Sequence, residues 1–238
     1  MSISVIVHNL NEAQLLSACL ASVRSQSVPA QLIVVDGGSR DGTQAIARAQ
    51  ADSVIEMTAP AIAEQLNAGA FQASGDILVF LHADCQLTDG CLERIQTTCE
   101  QTGIIGGALT MLVQGNRYAY KILSFCGNAY CRLTGTLFGD RAMFIRRSVF
   151  ESLHGFAPLP IMCDVELSHR MKRFGTTRLV PGPVLSSSRK FDQEPAWLSP
   201  VLILWALAAF RLGVPCERIR DRYYKSYADK PRREAPLK

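Results

Sequence analysis

The sequence lacks most of the signatures that identify a class of protein directly. Its 238 residues contain no G-x-G-x-x-G dinucleotide fingerprint and no G-x-x-x-x-G-K-[ST] phosphate loop. The eight cysteines form no C-x-x-C pair, and no cysteine–histidine cluster has zinc spacing. Charged residues make up only 19% of the chain, against ~25% in an average globular protein. Together with the lack of repeats, these absences exclude a fibre, a solenoid and a disordered chain.

No apolar run is long enough to be read as a membrane span. The longest, residues 197–210 (WLSPVLILWALAAF), has 14 residues without a charge, whereas a span needs ~20. We predict a helix packed on the body of the protein. Nine basic and four acidic residues follow at 211–238, a net +5, so peripheral contact with an anionic membrane face is the alternative.

Residues 1–210 carry the remaining sixteen basic and seventeen acidic residues, a net −1. A neutral body of this kind is not expected to bind nucleic acid. The N-terminus has no basic region before its apolar residues, so we expect no signal peptide. We therefore expect a cytoplasmic protein with reduced thiols, which contacts the inner membrane face at most peripherally.

The first eighty residues alternate between β-rich apolar runs and helical patterns. The predicted strands are 2–7, 31–36, 53–56 and 76–82, and the predicted helices are one opened by a capping box at Asn11, then 41–50 and 61–73. This alternation predicts a parallel α/β sheet with right-handed crossovers. Ligands bind beyond the carboxyl ends of such strands, so this edge is the predicted site.

Beyond residue 100 the pattern is looser. Strands are predicted at 104–113 and 142–146, and Ile122, Cys126, Ala129 and Leu133 share one helical face. A helix is predicted over 165–174, with Leu167, Met171 and Phe174 as its buried stripe. No Pro-, Gly- or Ser-rich linker intervenes, so we expect these elements to extend the same sheet.

Three aspartates are candidate site residues in a fold of this kind. Asp36 ends the second strand before Gly-Gly, and can bind a nucleotide or merely shape its turn. Asp84 follows the fourth strand, where a divalent cation bridging to phosphate oxygens can sit. His82 is a second candidate ligand there, suited to Mn²⁺, although a packed histidine is the more common role. Asp164 precedes a helix, either as its N-cap or as a general base.

Several motifs together resemble family 2 glycosyltransferases of GT-A fold. They are residues 4–12 (SVIVHNLNE), 33–43 (IVVDGGSRDGT), 65–69 (QLNAG) and 75–84 (GDILVFLHAD). Three further segments resemble a compact bacterial subgroup labelled arsenosugar-biosynthesis or radical-SAM/selenodomain-associated glycosyltransferases: 133–135 (LTG), 139–147 (GDRAMFIRR) and 162–168 (MCDVELS). The resemblance implies a Rossmann-like, mostly parallel sheet with acceptor-side α+β elements and C-terminal helices.

The resemblance also implies one glycosyltransferase domain over 1–238. Its parts would be a nucleotide-sugar-binding half at about 1–100, an acceptor-side half at about 101–195, helices at about 196–228 and a basic tail at 229–238. The expected partners are a nucleotide-diphospho-sugar donor, in the first instance a UDP-sugar, and a small-molecule or lipid-linked acceptor. A divalent metal, Mg²⁺ or Mn²⁺, is the expected cofactor of an inverting transfer.

Roles for individual residues follow from the same resemblance. Asp164 is the expected catalytic base, and Asp84, with His82, the expected metal contact. The remaining expectations are nucleotide-sugar binding by Asn11, Glu12, Asp36, Asn67 and Asp84, and acceptor or diphosphate binding by Asp140, Arg141, Arg189 and Lys190.

The chain departs from the subgroup's pattern at a few positions. Cys163 replaces a usual Glu, Ile62 and Glu64 stand where Arg is common, and Cys85 replaces a small hydroxyl residue. These departures leave open a non-catalytic nucleotide-sugar-binding or membrane-recruited partner protein. A sugar-nucleotidyl transferase is disfavoured, because residues 8–12 (HNLNE) lack the Gly-rich basic loop of such enzymes.

Overall fold

The computed structural model describes residues 1–189 and 198–228. Lys190, Trp197 and the basic tail at 229–238 lie outside the described residues. Within the described part there are eight strands and nine α-helices. The strands are β1 (Ile3–Asn9), β2 (Ala30–Asp36), β3 (Ser53–Glu56), β4 (Ile77–His82), β5 (Cys85–Leu87), β6 (Ile104–Val113), β7 (Met143–Arg146) and β8 (Thr176–Ser186). The helices are α1 (Leu16–Arg24), α2 (Thr43–Gln50), α3 (Ile62–Gln72), α4 (Cys91–Glu100), α5 (Tyr118–Thr134), α6 (Arg147–Ser152), α7 (Cys163–Met171), α8 (Leu198–Arg211) and α9 (Cys216–Ala228), with a 3₁₀ turn at Gly139–Arg141.

All eight strands form one sheet, in the order β3-β2-β1-β4-β7-β6-β8-β5. The first four are parallel, as the alternating pattern predicts. Strand β7 then runs antiparallel to both β4 and β6, while β6 and β8 are parallel. Both predicted halves of the chain therefore contribute strands to the same sheet, and the predicted α/β architecture is confirmed.

The sheet is covered on both faces, so its central strands are buried on both sides. Alternate side chains of β1 point to opposite faces. Val5 and Val7 pack with Leu20 of α1 and Ile95 of α4 on one face. Ile6 lies on the other face, where it packs against α3 in a cluster that also includes residues of α7. This three-layer arrangement holds the strand ends rigidly, and the candidate site lies beyond them.

The two C-terminal helices form a separate apolar cluster against the body. Ala206 and Leu207 of α8 pack with Ile219 of α9 and with Val165 of α7. Tyr130 of α5 is partly buried against the same cluster. The expectation of a packed apolar helix is thereby confirmed. Within residues 1–189 and 198–228, the helices are all too short or too polar to cross a bilayer.

Three local expectations were wrong. The segment after β1 does not enter a helix at Asn11, because Asn11 takes a left-handed φ of 53° and the chain makes turns until α1 begins at Leu16. Asp164 is not an N-cap: Met162 holds that position, and Asp164 lies inside the first turn of α7. Phe174 is 51% exposed because α7 ends at Met171, before the predicted stripe is complete.

The residues predicted to share a helical face do lie in one helix, α5, but most of them are exposed to solvent and do not pack in the core. Ile122 is 50% exposed and Leu133 is 87% exposed. Cys126 is also exposed. The sequence pattern did not reveal β5 and β8, which form the far edge of the sheet, and it did not reveal α4.

Candidate active site

The parallel register of the sheet brings the polar strand ends together. Strands β1 and β4 place His8 beside His82, and strands β1 and β2 place Asn9 beside Asp36. Asp84 follows β4 by two residues. The predicted edge of the sheet therefore carries the predicted cluster of polar groups.

Asp164 lies in the wall of a cavity at this edge. Its carboxylate accepts a hydrogen bond from the Gly139 backbone N–H (2.7 Å) and another from the Val165 N–H (2.8 Å). Burial raises the pKa of Asp164, and the nearby Asp140 carboxylate adds to that rise. A raised pKa makes the ionised carboxylate a stronger proton acceptor, which suits a general base.

Gly139 is the point where His82 and Asp164 approach one another. A Cβ at this glycine would lie 3.1 Å from His82 Nε2 and 3.5 Å from Asp164 Oδ2. The imidazole and the carboxylate therefore both lie against the Gly139 backbone, and a side chain at this position would crowd His82.

The His82 ring also packs edge-on against His8, with 4.3 Å between ring centroids. Burial, with a smaller contribution from His82, holds the pKa of His8 well below its usual range. His8 is therefore a neutral packing partner at neutral pH. His8 was not among the predicted site residues, although the parallel alignment of β1 with β4 is a signal that could have found it.

Asp84 is partly buried and lines the same cavity. The Cys85 thiol lies 3.5 Å from Asp84 Oδ1 and 3.8 Å from the Asp140 carbonyl oxygen. This thiol therefore joins the strand end at Asp84 to the 3₁₀ turn that carries Asp140. Asp84, Asp140 and Asp164, which come from three separate segments of the chain, all line one cavity, and their roles stay predictions.

Asp36 is completely buried, and its carboxylate organises the loop after β2. Its Oδ2 accepts hydrogen bonds from the N–H groups of Gly38 (3.0 Å) and Ser39 (2.8 Å) and from Gln44 Nε2 (2.8 Å). Its Oδ1 accepts a bond from the Ser39 hydroxyl. The loop-shaping alternative thus accounts for four contacts, and nucleotide contact by Asp36 stays a prediction.

The loop at Asn11 and Glu12 is tied to the neighbouring loop and to the end of β8. Asn11 Oδ1 accepts from the Arg40 N–H (2.9 Å), and Glu12 accepts from the Arg189 guanidinium at 2.6 and 2.8 Å. This ion pair joins residues 177 positions apart, and Asp84 adds to the negative field around Arg189. Arg189 therefore lies near two carboxylates, those of Glu12 and Asp84.

Two other predicted residues have structural contacts. Both polar atoms of the Asn67 amide bond the backbone of Phe156 at 2.9 Å, so Asn67 fixes that loop. Arg141 is only 3% exposed, and its guanidinium donates to Asn128 Oδ1. Its side chain also forms part of the cavity wall. The binding roles of Asn67 and Arg141 stay predictions.

The departures from the subgroup pattern have distinct surroundings. Cys163 is the first residue of α7 and is buried in the core, and burial raises the pKa of its thiol to about 12. It is thus a neutral apolar neighbour of Asp164. Ile62 lines the cavity, while Glu64 is exposed on α3.

Backbone strain is concentrated near the residues of the candidate site. Four non-glycine residues in the described part have a positive φ, and three adjoin the cluster: Asn11 (53°), Ala142 (47°) and Met162 (66°). Such conformations cost about 1–3 kcal/mol each and persist where the surrounding structure imposes them, often at functional sites. Met162 directly precedes the helical turn that carries Asp164.

The cavity has a volume of about 490 Å³, within the range of small-molecule sites. Its polar end is formed by His8, His82, Asp84, Asp140 and Asp164. From there it continues between α5 and α8 into a part that we call the apolar arm. The arm is lined by Leu123, Cys126, Tyr130, Ile203, Leu204 and Leu207.

An α/β sheet with acidic groups beyond its parallel strand ends is typical of an enzyme that binds its ligand at this edge. The sequence model of glycosyl transferase family 2 matches residues 4–153, and the chain belongs to this family. It is 38% identical over 116 residues to glycosyltransferase AglE of Haloferax volcanii, covering 44% of this chain and 38% of that protein. It is 37% identical over 91 residues to a PGL/p-HBAD biosynthesis glycosyltransferase of Mycobacterium bovis, covering 35% of this chain and 36% of that protein.

Solved structures share the fold at low sequence identity. The mannosyltransferase PcManGT from Pyrobaculum calidifontis matches with a TM-score of 0.67 at 18% identity, over 95% of this chain and 70% of that one. Glucosyl-3-phosphoglycerate synthase from Mycobacterium tuberculosis matches with a TM-score of 0.63 at 23% identity, over 90% and 81%. The predicted GT-A fold is confirmed. The chain spans 35–38% of the length of the curated relatives it matches.

Proposed function

We propose that this protein transfers a sugar from a nucleotide-diphospho-sugar to an acceptor hydroxyl, with inversion at the anomeric carbon. The observation that carries the proposal is the convergence of Asp84 and Asp164 on one cavity beyond the parallel strand ends. Asp84 lies near Arg189, and both aspartates line the cavity that includes the apolar arm. We assign Asp84 and Arg189 to the departing diphosphate and Asp164 to the incoming acceptor.

The related structures support a nucleotide-sugar donor. The Pyrobaculum mannosyltransferase was solved with GDP-Man and Mn²⁺. The Mycobacterium synthase was solved with Mn²⁺, UDP and glucosyl-3-phosphoglycerate. These ligands belong to those proteins, and a UDP- or GDP-sugar is our proposal for this one.

In the proposed step, Asp164 takes the proton of the acceptor hydroxyl. The hydroxyl oxygen forms a bond to the anomeric carbon while the bond from that carbon to the diphosphate oxygen breaks, and the nucleoside diphosphate leaves with the electron pair. The ionised Asp164 required for this step is stabilised by the two backbone N–H donors at Gly139 and Val165. Positioning donor and acceptor in one cavity would supply much of the remaining acceleration.

The side chains at the donor side fit a divalent cation that is shared with phosphate oxygens. Among residues 1–189 and 198–228, no group of three or more His, Cys, Asp or Glu side chains forms a complete metal cage. Mg²⁺ typically takes one or two carboxylates plus substrate phosphates, and the partly buried Asp84 offers such a carboxylate. A cation bound there would neutralise charge on the leaving diphosphate. His82 faces Asp164 across Gly139, and its predicted metal contact stays a proposal.

The assignment of the base is tested by comparing Asp164→Asn with Glu166→Gln. Glu166 lies two residues on, but it pairs with Arg170 at 2.6 Å, and a glutamine can keep a hydrogen bond there. We expect Asp164→Asn to lower donor turnover by about 10²–10⁴-fold, because general base catalysis contributes that much. Glu166→Gln should stay close to the wild-type rate.

Calorimetry with UDP- and GDP-sugars measures donor binding by the wild-type protein and by both variants. Full turnover in Asp164→Asn would show that Asp164 is not the base. Tight donor binding without turnover in the wild-type protein, with Mg²⁺ or Mn²⁺ supplied, would instead support the non-catalytic alternative that Cys163 leaves open.

A further inference from the structure

The apolar arm gives the cavity a shape that a sugar transfer by itself does not require. Asp164 faces one end of the arm, and Leu123 of α5 and Ile203 and Leu207 of α8 line it. Helices α8 and α9 lie beyond residue 153, where the family match ends. The arm is therefore partly built from elements that the shared family region does not supply.

The arm opens at an apolar surface, which we call the rim. Cys126 and Leu204 line the cavity and are also exposed, so they lie at its mouth. Ile122 lies one turn before both Phe125 and Cys126 on α5, and Val201 lies one turn before Leu204 on α8. Phe125 is 74% exposed, and Ile122, Val201 and Leu204 are 50–57% exposed. Large apolar side chains that cluster in solvent mark a binding surface.

The charge of the two rim helices favours an anionic lipid surface. Helix α5 carries Lys121 and Arg132, and α8 ends with Arg211, whereas neither helix contains an acidic residue. A bilayer with anionic headgroups attracts such helices by about 1 kcal/mol per basic residue near the surface. Exposed apolar side chains beside them can enter the headgroup–acyl boundary.

We propose that the apolar arm binds the hydrocarbon part of a lipid acceptor, which enters from an anionic bilayer contacted by the rim. The acceptor hydroxyl would then lie at the polar end, within reach of Asp164. This inference rests on the proposed function for the role of Asp164, and it adds the class of acceptor and the place from which the acceptor comes.

The rim is tested by sedimentation with vesicles of phosphatidylglycerol and phosphatidylcholine. Leu204→Glu places a charge at the mouth, whereas Phe71→Glu makes the same kind of change at a residue that is 96% exposed on α3 and does not line the cavity. We expect Leu204→Glu to weaken vesicle binding by at least about tenfold, because a carboxylate is expelled from the apolar boundary. Phe71→Glu should change it by less than about twofold. Equal losses, or no binding to vesicles by the wild type, would overturn the membrane source.

The arm is tested without vesicles, with hexyl, heptyl and octyl glucosides as probes and free glucose as the control. Burying one methylene is worth about fourfold in affinity, so each added carbon should strengthen binding by about that factor. Leu123→Trp and Ile203→Trp fill the arm at two positions, and each should flatten this dependence. Affinity that does not depend on chain length, or that the two variants leave unaltered, would overturn the arm as the binding site.

Donor binding and hydrolysis separate the two proposals. If donors bind and turn over while vesicles and alkyl glucosides do not bind, the lipid inference fails and the glycosyl transfer stands. If alkyl glucosides bind with the expected chain-length dependence and no nucleotide-sugar binds, the arm stands and the proposed transfer fails.

Discussion

Replacing Asp36 tests whether its carboxylate shapes the donor-side loop. In Asp36→Ala, the N–H groups of Gly38 and Ser39 and the Gln44 side chain lose their acceptor. The Ser39 hydroxyl also loses its bond to Asp36, but it keeps Asn9 Oδ1 as an acceptor at 3.4 Å. A buried donor without a partner costs about 1–3 kcal/mol. Because these donors are only partly buried, we take the lower value for each, and expect a loss of about 3 kcal/mol in the free energy of unfolding. For a chain of this size, that corresponds to a fall in the melting temperature of about 6–12 °C.

The Asp36→Asn variant should lose about 1 kcal/mol. Its amide oxygen can replace Oδ2 and keep the three N–H bonds, while its NH₂ group can donate to the Ser39 hydroxyl oxygen, so mainly the charge assistance is lost. Urea unfolding measures both losses, with Asp89→Ala as an exposed control that should stay within about 0.5 kcal/mol of wild type. If Asp36→Ala unfolds like this control, the reasoning from these hydrogen bonds is refuted. Donor affinity lost equally in the Ala and Asn variants would instead indicate direct contact with the nucleotide.

The rate of transfer should fall as the pH is lowered through the pKa of Asp164, because only the ionised carboxylate accepts a proton. Burial raises this pKa, so the fall should occur at a higher pH than the ~3.9 of a free aspartate. Asp140→Asn removes a negative charge that helps to raise the pKa of Asp164, so the acid limb of the kcat/KM profile should move to lower pH. Movement to higher pH would contradict the assigned effect of Asp140 on Asp164. Chelation of divalent cations should lower donor turnover, and Asp84→Asn should raise the Mn²⁺ concentration needed for half-maximal rate by about tenfold or more. An unchanged requirement for Mn²⁺ would exclude Asp84 as the cation's ligand.

The parallel half of the fold could be predicted because its strands are continuous apolar runs. Strand β3 was predicted over its observed bounds, and the other three strands within two residues at either end. The start of α1 could not be predicted in this way. The polar run at Asn11 has the composition of a helix cap, but contacts with the loop at Ser39 and Arg40 hold it in turns instead.

In the candidate site, too, local sequence signals identify some residues and not others. Asp84 follows an apolar strand and Asp164 precedes an amphipathic pattern, so local signals mark both. The ion pair of Glu12 with Arg189 joins positions 177 residues apart, and nothing local marks Arg189 as its partner. The apolar arm depends on how α5 meets α8, and sequence periodicity tells which residues share a face but not which helices become neighbours.

The stereochemistry of donor hydrolysis tests the central claim most directly. Real-time proton NMR of a UDP- or GDP-sugar with the protein and the diamagnetic Mg²⁺ resolves the first-formed free sugar before its anomers equilibrate. An inverting transfer to water predicts nucleoside diphosphate together with a first-formed sugar of inverted configuration, and loss of both products in Asp164→Asn. A first-formed sugar of retained configuration, or release of a nucleoside monophosphate, would contradict the account.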